Sequence, residues 1–172
     1  MTGAAVGFAG PIGLTVLEFL RVEGADIGIL EISPARRAFA ARLFPGVRFY
    51  ESVDAVLADE LPTLVFDCTG NKDSMAGAFQ LVANGGKLVF VGLFVGDVTF
   101  HDPEFHRREM TLLASRNATP AEHRRIISLL EDGRIDTSAW ISERAPVDAM
   151  IERFPVWLDP AAGIVKAVVD FA

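Results

Sequence analysis

Thiols are nearly missing from this 172-residue chain, in which Cys68 is the only cysteine. A single thiol excludes an internal disulfide and any thiolate-rich structural zinc site built within the chain, and it fits a reducing cytoplasm. Histidine is scarce too, limited to His101, His106 and His123. None has a second ligand at a metal-site spacing such as H-E-x-x-H, so all three read as surface residues. Positive charge is in deficit: 16 Lys and Arg face 23 Asp and Glu, for a net charge of −7, with both signs interspersed. Such a chain offers no basic face to a nucleic acid. No apolar run reaches the roughly 18 residues of a membrane span. A basic segment leading into an apolar core is also missing, so no secretory leader is expected. Internal repeats and low-complexity linkers are absent.

What the chain has in quantity is apolar surface. Hydrophobic residues make up 51% and the mean hydropathy is +0.33. Two readings stay open: a parallel sheet covered on both faces, or an apolar face that a missing partner would cover. The length suits one domain with one substantial core. β-prone apolar runs recur at 4–8, 27–30, 47–50, 63–66, 87–93 and 110–114, and helical patterns at 11–23, 34–43, 52–58 and 73–83 lie between most of them. That alternation predicts an α/β fold with a parallel sheet. Pro11 and Pro34 sit where first-turn prolines belong, with Ser33 as an N-cap, and Asn84-Gly85-Gly86 stops the fourth helix. Thr119 is expected to cap a further helix running to about Glu131, with an apolar stripe at Ile126, Ile127, Leu129 and Leu130. From Thr137 onward the pattern changes to short pieces around Trp140, Pro146, Pro155, Trp157 and Pro160, then a strand-like 164–171. This tail does not read as a seventh βα unit.

The chemistry begins at the glycine turn that follows the first run. In G-x-G-x-x-G the second glycine lets backbone approach a pyrophosphate and the third lets helix and strand pack. Gly10 and Gly13 fill those roles, while Phe8 occupies the first slot and Gly7 falls one residue early. The turn lies within a few residues of Met1, so nothing is expected ahead of a cofactor module. Glu31 follows Gly13 by 18 residues, close to the spacing of a ribose-binding acid. A carboxylate there accepts from both ribose hydroxyls and repels a 2′-phosphate, favouring NAD over NADP. Arg36 and Arg37 pull the other way, since a nearby arginine accommodates that phosphate. Asp67-Cys68-Thr69-Gly70 and Val91-Gly92-Leu93-Phe94 close the fourth and fifth strands, on the side where ligands of open α/β sheets bind. Cys68 itself reads as an inert small residue. Tyr50 has Asp54 four residues on, so the Y-x-x-x-K of short-chain dehydrogenases is missing.

Taken together, these residues resemble the zinc-dependent, medium-chain alcohol dehydrogenases, in their cofactor-binding and C-terminal portion. The likeness rests on A-G-P-I-G at 9–13, E-I-S-P-A-R-R at 31–37, F-D-C-T-G at 66–70 and A-N-G-G-K-L-V-F-V-G at 83–92. It continues through H-R-R-E-M-T-L-L-A-S-R-N-A at 106–118, L-L-E-D-G-R-I-D at 129–136 and G-I-V-K-A-V-V at 163–169. Within the family it looks most similar to sugar-acid and polyol dehydrogenases such as galactonate oxidoreductases.

The resemblance implies a Rossmann-type, doubly wound, six-stranded parallel sheet over 1–135, and a 136–172 segment that would complete a missing catalytic domain. It implies NAD as cofactor, with Gly10, Pro11 and Ile12 at the pyrophosphate, Gly13 packing the helix, Glu31 at the adenosine ribose and Arg36 beside it. Cys68, Thr69 and Gly70 would line the path to the nicotinamide. Val91, Gly92 and Leu93, with Ser115, Arg116 and Asn117, would hold that ring and its carboxamide. Lys166 would reach back to the pyrophosphate, although a solvated lysine reads equally well. Zinc and the proton relay would belong to the missing domain, so the chain should bind nucleotide without turning over. Its tail should leave a strand edge open. A homodimer is expected, with contact at 96–100 or near Met110. The residues admit two other readings. One is a free-standing nucleotide sensor or interaction module. The other is a methyltransferase, disfavoured because no terminal antiparallel hairpin is legible.

Overall fold

The computed structural model describes residues 3–7, 10–159 and 162–171. Six parallel strands form one sheet: β1 (Gly3–Gly7), β2 (Asp26–Leu30), β3 (Arg48–Tyr50), β4 (Leu64–Asp67), β5 (Lys87–Phe90) and β6 (Thr111–Ala114). Their order is β3-β2-β1-β4-β5-β6. The chain therefore winds outward from β1 in one direction and from β4 in the other. At that reversal the connections leave on opposite faces, opening a crevice beyond the carboxyl ends of β1 and β4. Register sets the crevice floor, with Gly7 opposite Leu30 on one side and Asp67 on the other.

Both faces of the sheet are covered, as a parallel sheet requires. On one face α1 (Pro11–Val22) and α2 (Pro34–Leu43) pack Leu14, Leu17 and Leu20, with Phe44 just past α2, against Ile27 and Ile29. Leu14 and Leu17 are wholly buried, each contributing about 2 kcal/mol of transfer free energy. On the other face Val56 of α3 (Val53–Leu57) joins Phe79, Leu81 and Val82 over Val65 and Leu88. Side-chain alternation along β4 sends Val65 to that core, while Leu64 and Phe66 face the first.

Local signals place the helix starts. Ser33 and Ser52 accept amide hydrogens of Arg36 and Ala55. Thr119 and Glu122 form a reciprocal capping box that opens α6 (Pro120–Glu131). The helix expected over 73–83 is instead α4 (Lys72–Gly77) followed by a 3-10 turn at Ala78–Leu81. A short helix not anticipated, α5 (Asp102–Arg107), sits in the charged segment and ends on an Arg107–Glu104 pair. All three histidines are exposed.

The described tail adds no strand to the six-stranded sheet, and the strand expected over 164–171 is observed at Lys166–Asp170. β7 (Ile141–Pro146) and β8 (Lys166–Asp170) pair in parallel across α7 (Met150–Trp157), making a separate βαβ unit. Nothing in the sequence announces α7, because its N-cap Ala149 offers no side-chain acceptor and Pro155 lies inside it. Trp140 anchors the tail by entering the core of α1 and α2, and Val165 packs beside it. The outward residues of α7 stay exposed, Ile151 at 90% and Val156 at 50%. No described strand pair is antiparallel, unlike the terminal hairpin of the methyltransferase reading. No described helix is long and apolar enough to cross a membrane.

Candidate functional site

The crevice is built first by α1. Gly10 caps it in extended backbone with no side-chain cap bond, and Pro11 occupies the first helical position. Leu14 donates to the Gly10 carbonyl at 2.9 Å, while helical geometry leaves the amides of Ile12 and Gly13 without an intrahelical acceptor. Those two N–H groups and the helix dipole make this end a site for phosphate oxygens. Gly13 is buried against the sheet and Ile12 is half exposed. Phe8 and Ala9 lie outside the described residues.

Glu31 extends β2 toward the same crevice, its amide donating to the Tyr50 carbonyl at 3.0 Å. Its side chain is 0% exposed, and Oε1 accepts the Ser33 amide at 2.7 Å. The carboxylate thus braces the β2–α2 turn rather than standing in solvent as a strand-end acid would. Arg37 closes this turn from outside, donating to the Glu31 carbonyl at 2.8 Å. Arg36 is exposed on the first turn of α2.

Opposite them, the loops after β4 and β5 interlock. Asp67 is 2% exposed and fully engaged. Its Oδ1 accepts from the Thr69 amide at 2.9 Å and the Thr69 hydroxyl at 2.7 Å, and its Oδ2 accepts from the Ser74 hydroxyl at 2.7 Å. Its backbone carbonyl accepts both Val91 and Gly92 amides at 2.9 Å. That double acceptance bends the chain and ends β5 at Phe90 instead of residue 93. Gly70 takes a left-handed φ of +61°, and a Cβ on it would lie 2.8 Å from the Leu93 carbonyl oxygen. A Cβ on Gly92 would collide with the Gly70 amide nitrogen. Only glycine at both positions permits this approach.

Cys68 is buried between these loops, and its thiol is pushed up to about 12, chiefly by burial and secondarily by the Asp67 charge. It is no nucleophile at neutral pH. The raised value binds the proton more tightly in the folded chain, so its stabilisation is complete below the ordinary 9.0 and lost as pH climbs toward 12. Cys68→Ala is expected to remove that alkaline slope from urea-unfolding free energies. An identical slope in the variant would refute the assignment.

The remaining sequence-predicted residues spread outward. Val91 is half-buried and Leu93 is 75% exposed. Ser115, Arg116 and Asn117 are exposed beyond β6, the Ser115 amide bonded to the Phe90 carbonyl and Asn117 at a φ of +58°. Lys166 is exposed on β8. Gly10, Pro11, Ser33 and Arg36 meet the tail's Trp157 and Val165 around a cavity of about 460 Å³. Sequence reasoning missed two residues here. Asp67 appeared only inside a motif, though a Thr two residues on was a usable signal for a side-chain turn. Trp157 had no local signal. Among the described residues no three His, Cys, Asp or Glu gather where a metal ion could be held.

The sequence pattern of the family described as zinc-binding dehydrogenase matches residues 11–132. L-galactonate-5-dehydrogenase of Escherichia coli K12 is 34% identical over 170 residues, covering 95% of this chain and 50% of that protein. The crystal structure of 2R,3R-butanediol dehydrogenase from Bacillus subtilis superposes with a TM-score of 0.86 at 25% identity, over 98% of this chain and 50% of that one. A Sinorhizobium meliloti protein solved with NADP bound gives a TM-score of 0.83 at 25% identity, over 98% and 52%. The chain spans about half the length of the relatives it matches.

Proposed function

The chain belongs to the zinc-binding dehydrogenase family, the zinc-type medium-chain alcohol dehydrogenases, and from that premise we propose that it is the NAD-binding half of a sugar-acid or polyol dehydrogenase. The observation that carries this reading is the crevice at the β1–β4 reversal, where an uncapped helix start faces two interlocked glycine loops. A dinucleotide bound there supplies the hydride acceptor for oxidation of an alcohol carbon. Ile12 and Gly13 amides hold its phosphates, with Gly10 and Pro11 shaping the approach and Lys166 adding charge from β8. The adenosine ribose lies against the β2–α2 turn that the buried Glu31 carboxylate braces, where its charge disfavours a 2′-phosphate, with Arg36 beside it. Cys68, Thr69 and Gly70 line the path onward. Val91, Gly92 and Leu93, with Ser115, Arg116 and Asn117, hold the nicotinamide end. The described residues offer no donor set for zinc. The sugar-acid and diol names of the compared proteins support the substrate class. One buried thiol suits a cytoplasmic setting.

We also read the chain as a homodimer joined at β6. That strand ends the sheet, and its Leu112 and Leu113 are 37% and 46% exposed. Of the two places expected from the sequence, the region near Met110 runs into β6, and 96–100 is largely exposed as well, with Phe100 at 36% while stacking on Phe79 at 4.3 Å.

Calorimetric titration of the pure chain with NADH, ADP-ribose and NADPH tests the core of this reading. Binding of the first two, with NADPH weaker, is expected, and light scattering on the same sample should give a dimer mass. Failure of all three ligands to bind would reject the cofactor assignment. Robust turnover with zinc, NAD and L-galactonate would mean that the chemistry has been misplaced.

A further inference from the structure

Trp157 closes α7, and its indole Nε1 is shut from solvent with no hydrogen-bond partner among the described residues. Such a donor is rare, because it has given up water without gaining an acceptor. The same side chain lines the 460 Å³ cavity, across from Gly10 and Pro11 at the start of α1 and from Ser33 and Arg36 at the start of α2. The cavity wall is rich in donors: two helix beginnings and the guanidinium groups of Arg36 and Arg42. Asp159 is the one carboxylate on it, and it has interactions of its own.

We propose that Trp157 is a positioning residue for the dinucleotide, its indole N–H donating to a phosphate oxygen of the bound cofactor. The inference rests on the dinucleotide reading above and adds to it a contact from the C-terminal unit. In the unliganded chain the ring needs to turn its N–H edge into the cavity that it already lines. An anionic oxygen there supplies the missing acceptor and so favours the turned state. Ligand binding thereby ties the β7–α7–β8 unit to the six-stranded sheet through the cofactor. The acceptor belongs either to the pyrophosphate, near Gly10, or to a 2′-phosphate, near Arg36.

The test uses the ¹⁵N-labelled full chain, which has two indole N–H resonances, from Trp140 and Trp157. Trp157→Phe assigns them by deletion, and Trp140→Phe does so if the first variant fails to fold. Trp140 is an internal control, buried beside Leu14 and Leu17 and lining a different cavity. On titration the Trp157 resonance is expected to move while that of Trp140 stays. Movement with ADP-ribose assigns the pyrophosphate, and movement with NADPH alone assigns the 2′-phosphate. Trp157→Phe should bind about fivefold more weakly, the scale of one hydrogen bond. Calorimetric binding with an unmoved Trp157 resonance overturns this proposal and leaves the cofactor reading intact. Absence of any binding by the unaltered chain overturns both.

Discussion

Gly92→Ala is expected to lower stability by about 3 kcal/mol and to weaken NADH binding by about tenfold or more. The added methyl meets backbone on every side, colliding with the Gly70 amide nitrogen and lying 3.0 Å from the Cys68 carbonyl carbon. Neither neighbour is the end of a flexible side chain that could swing away. Gly70 is itself committed to φ +61° and packs against the Leu93 carbonyl, so the β4 and β5 loops shift together or not at all. The Val91 and Gly92 amides then lose their shared acceptor on Asp67, and the crevice wall moves. A control isolates close approach from glycine's general flexibility. Gly77 ends α4 with only the Gln80 Nε2 at 3.8 Å, and Gly77→Ala should be neutral or slightly stabilising. Urea midpoints and NADH calorimetry on both variants decide the matter. Wild-type stability and affinity for Gly92→Ala would show that these loops do not interlock.

Asp67→Ala carries the second large effect, a loss of about 3 kcal/mol. Its carboxylate receives three hydrogen bonds, from the Thr69 amide, the Thr69 hydroxyl and the Ser74 hydroxyl. The carboxylate itself is only 2% exposed, so removing both oxygens leaves these half-buried donors without their acceptor. Asp67→Asn keeps the shape and one carbonyl oxygen, and the Ser74 hydroxyl rotates to accept from the new amide. That variant should lose only about 1 kcal/mol. Thr69 also accepts from the Asn71 amide at 3.0 Å, and Asn71 caps α4. Losing the Asp67 clamp therefore loosens the loop from 69 to 71 and should reduce affinity as well as stability. The ordering Ala worse than Asn, in urea unfolding, is the diagnostic result. Equal, small losses for both would mean that the carboxylate bears no such weight.

Much of this was legible in the residues. Apolar β-prone runs gave β2, β4 and β6 within a residue or two, although β6 itself is exposed along its whole length. Caps gave helix starts at Ser33 and Thr119, since a short side chain satisfying an exposed amide is a local event. Gly10 and Gly13 marked the helix that faces the crevice. Other features had no local trace. β5 stops at Phe90 although apolar residues continue to Leu93, because a carbonyl on the neighbouring strand captures two amides. α5 hides in a charged stretch, and α7 lacks a cap and carries Pro155. The spacing of Glu31 from Gly13 was legible as that of a ribose-binding acid, but not that its carboxylate turns inward to the Ser33 amide.

By itself, then, the order of residues determined the family, the alternation of strands and helices, and the position of the glycine turn. Each depends on neighbours a few places apart, where periodicity, caps and glycine conformations act. The tertiary structure alone decided that Asp67 organises the crevice wall, that Gly70 and Gly92 meet backbone to backbone, and that the tail pairs with itself while Trp157 comes to line one cavity with Gly10. Those are contacts between segments far apart in the chain, set by strand order and packing, and no local pattern encodes which distant groups will share a buried space.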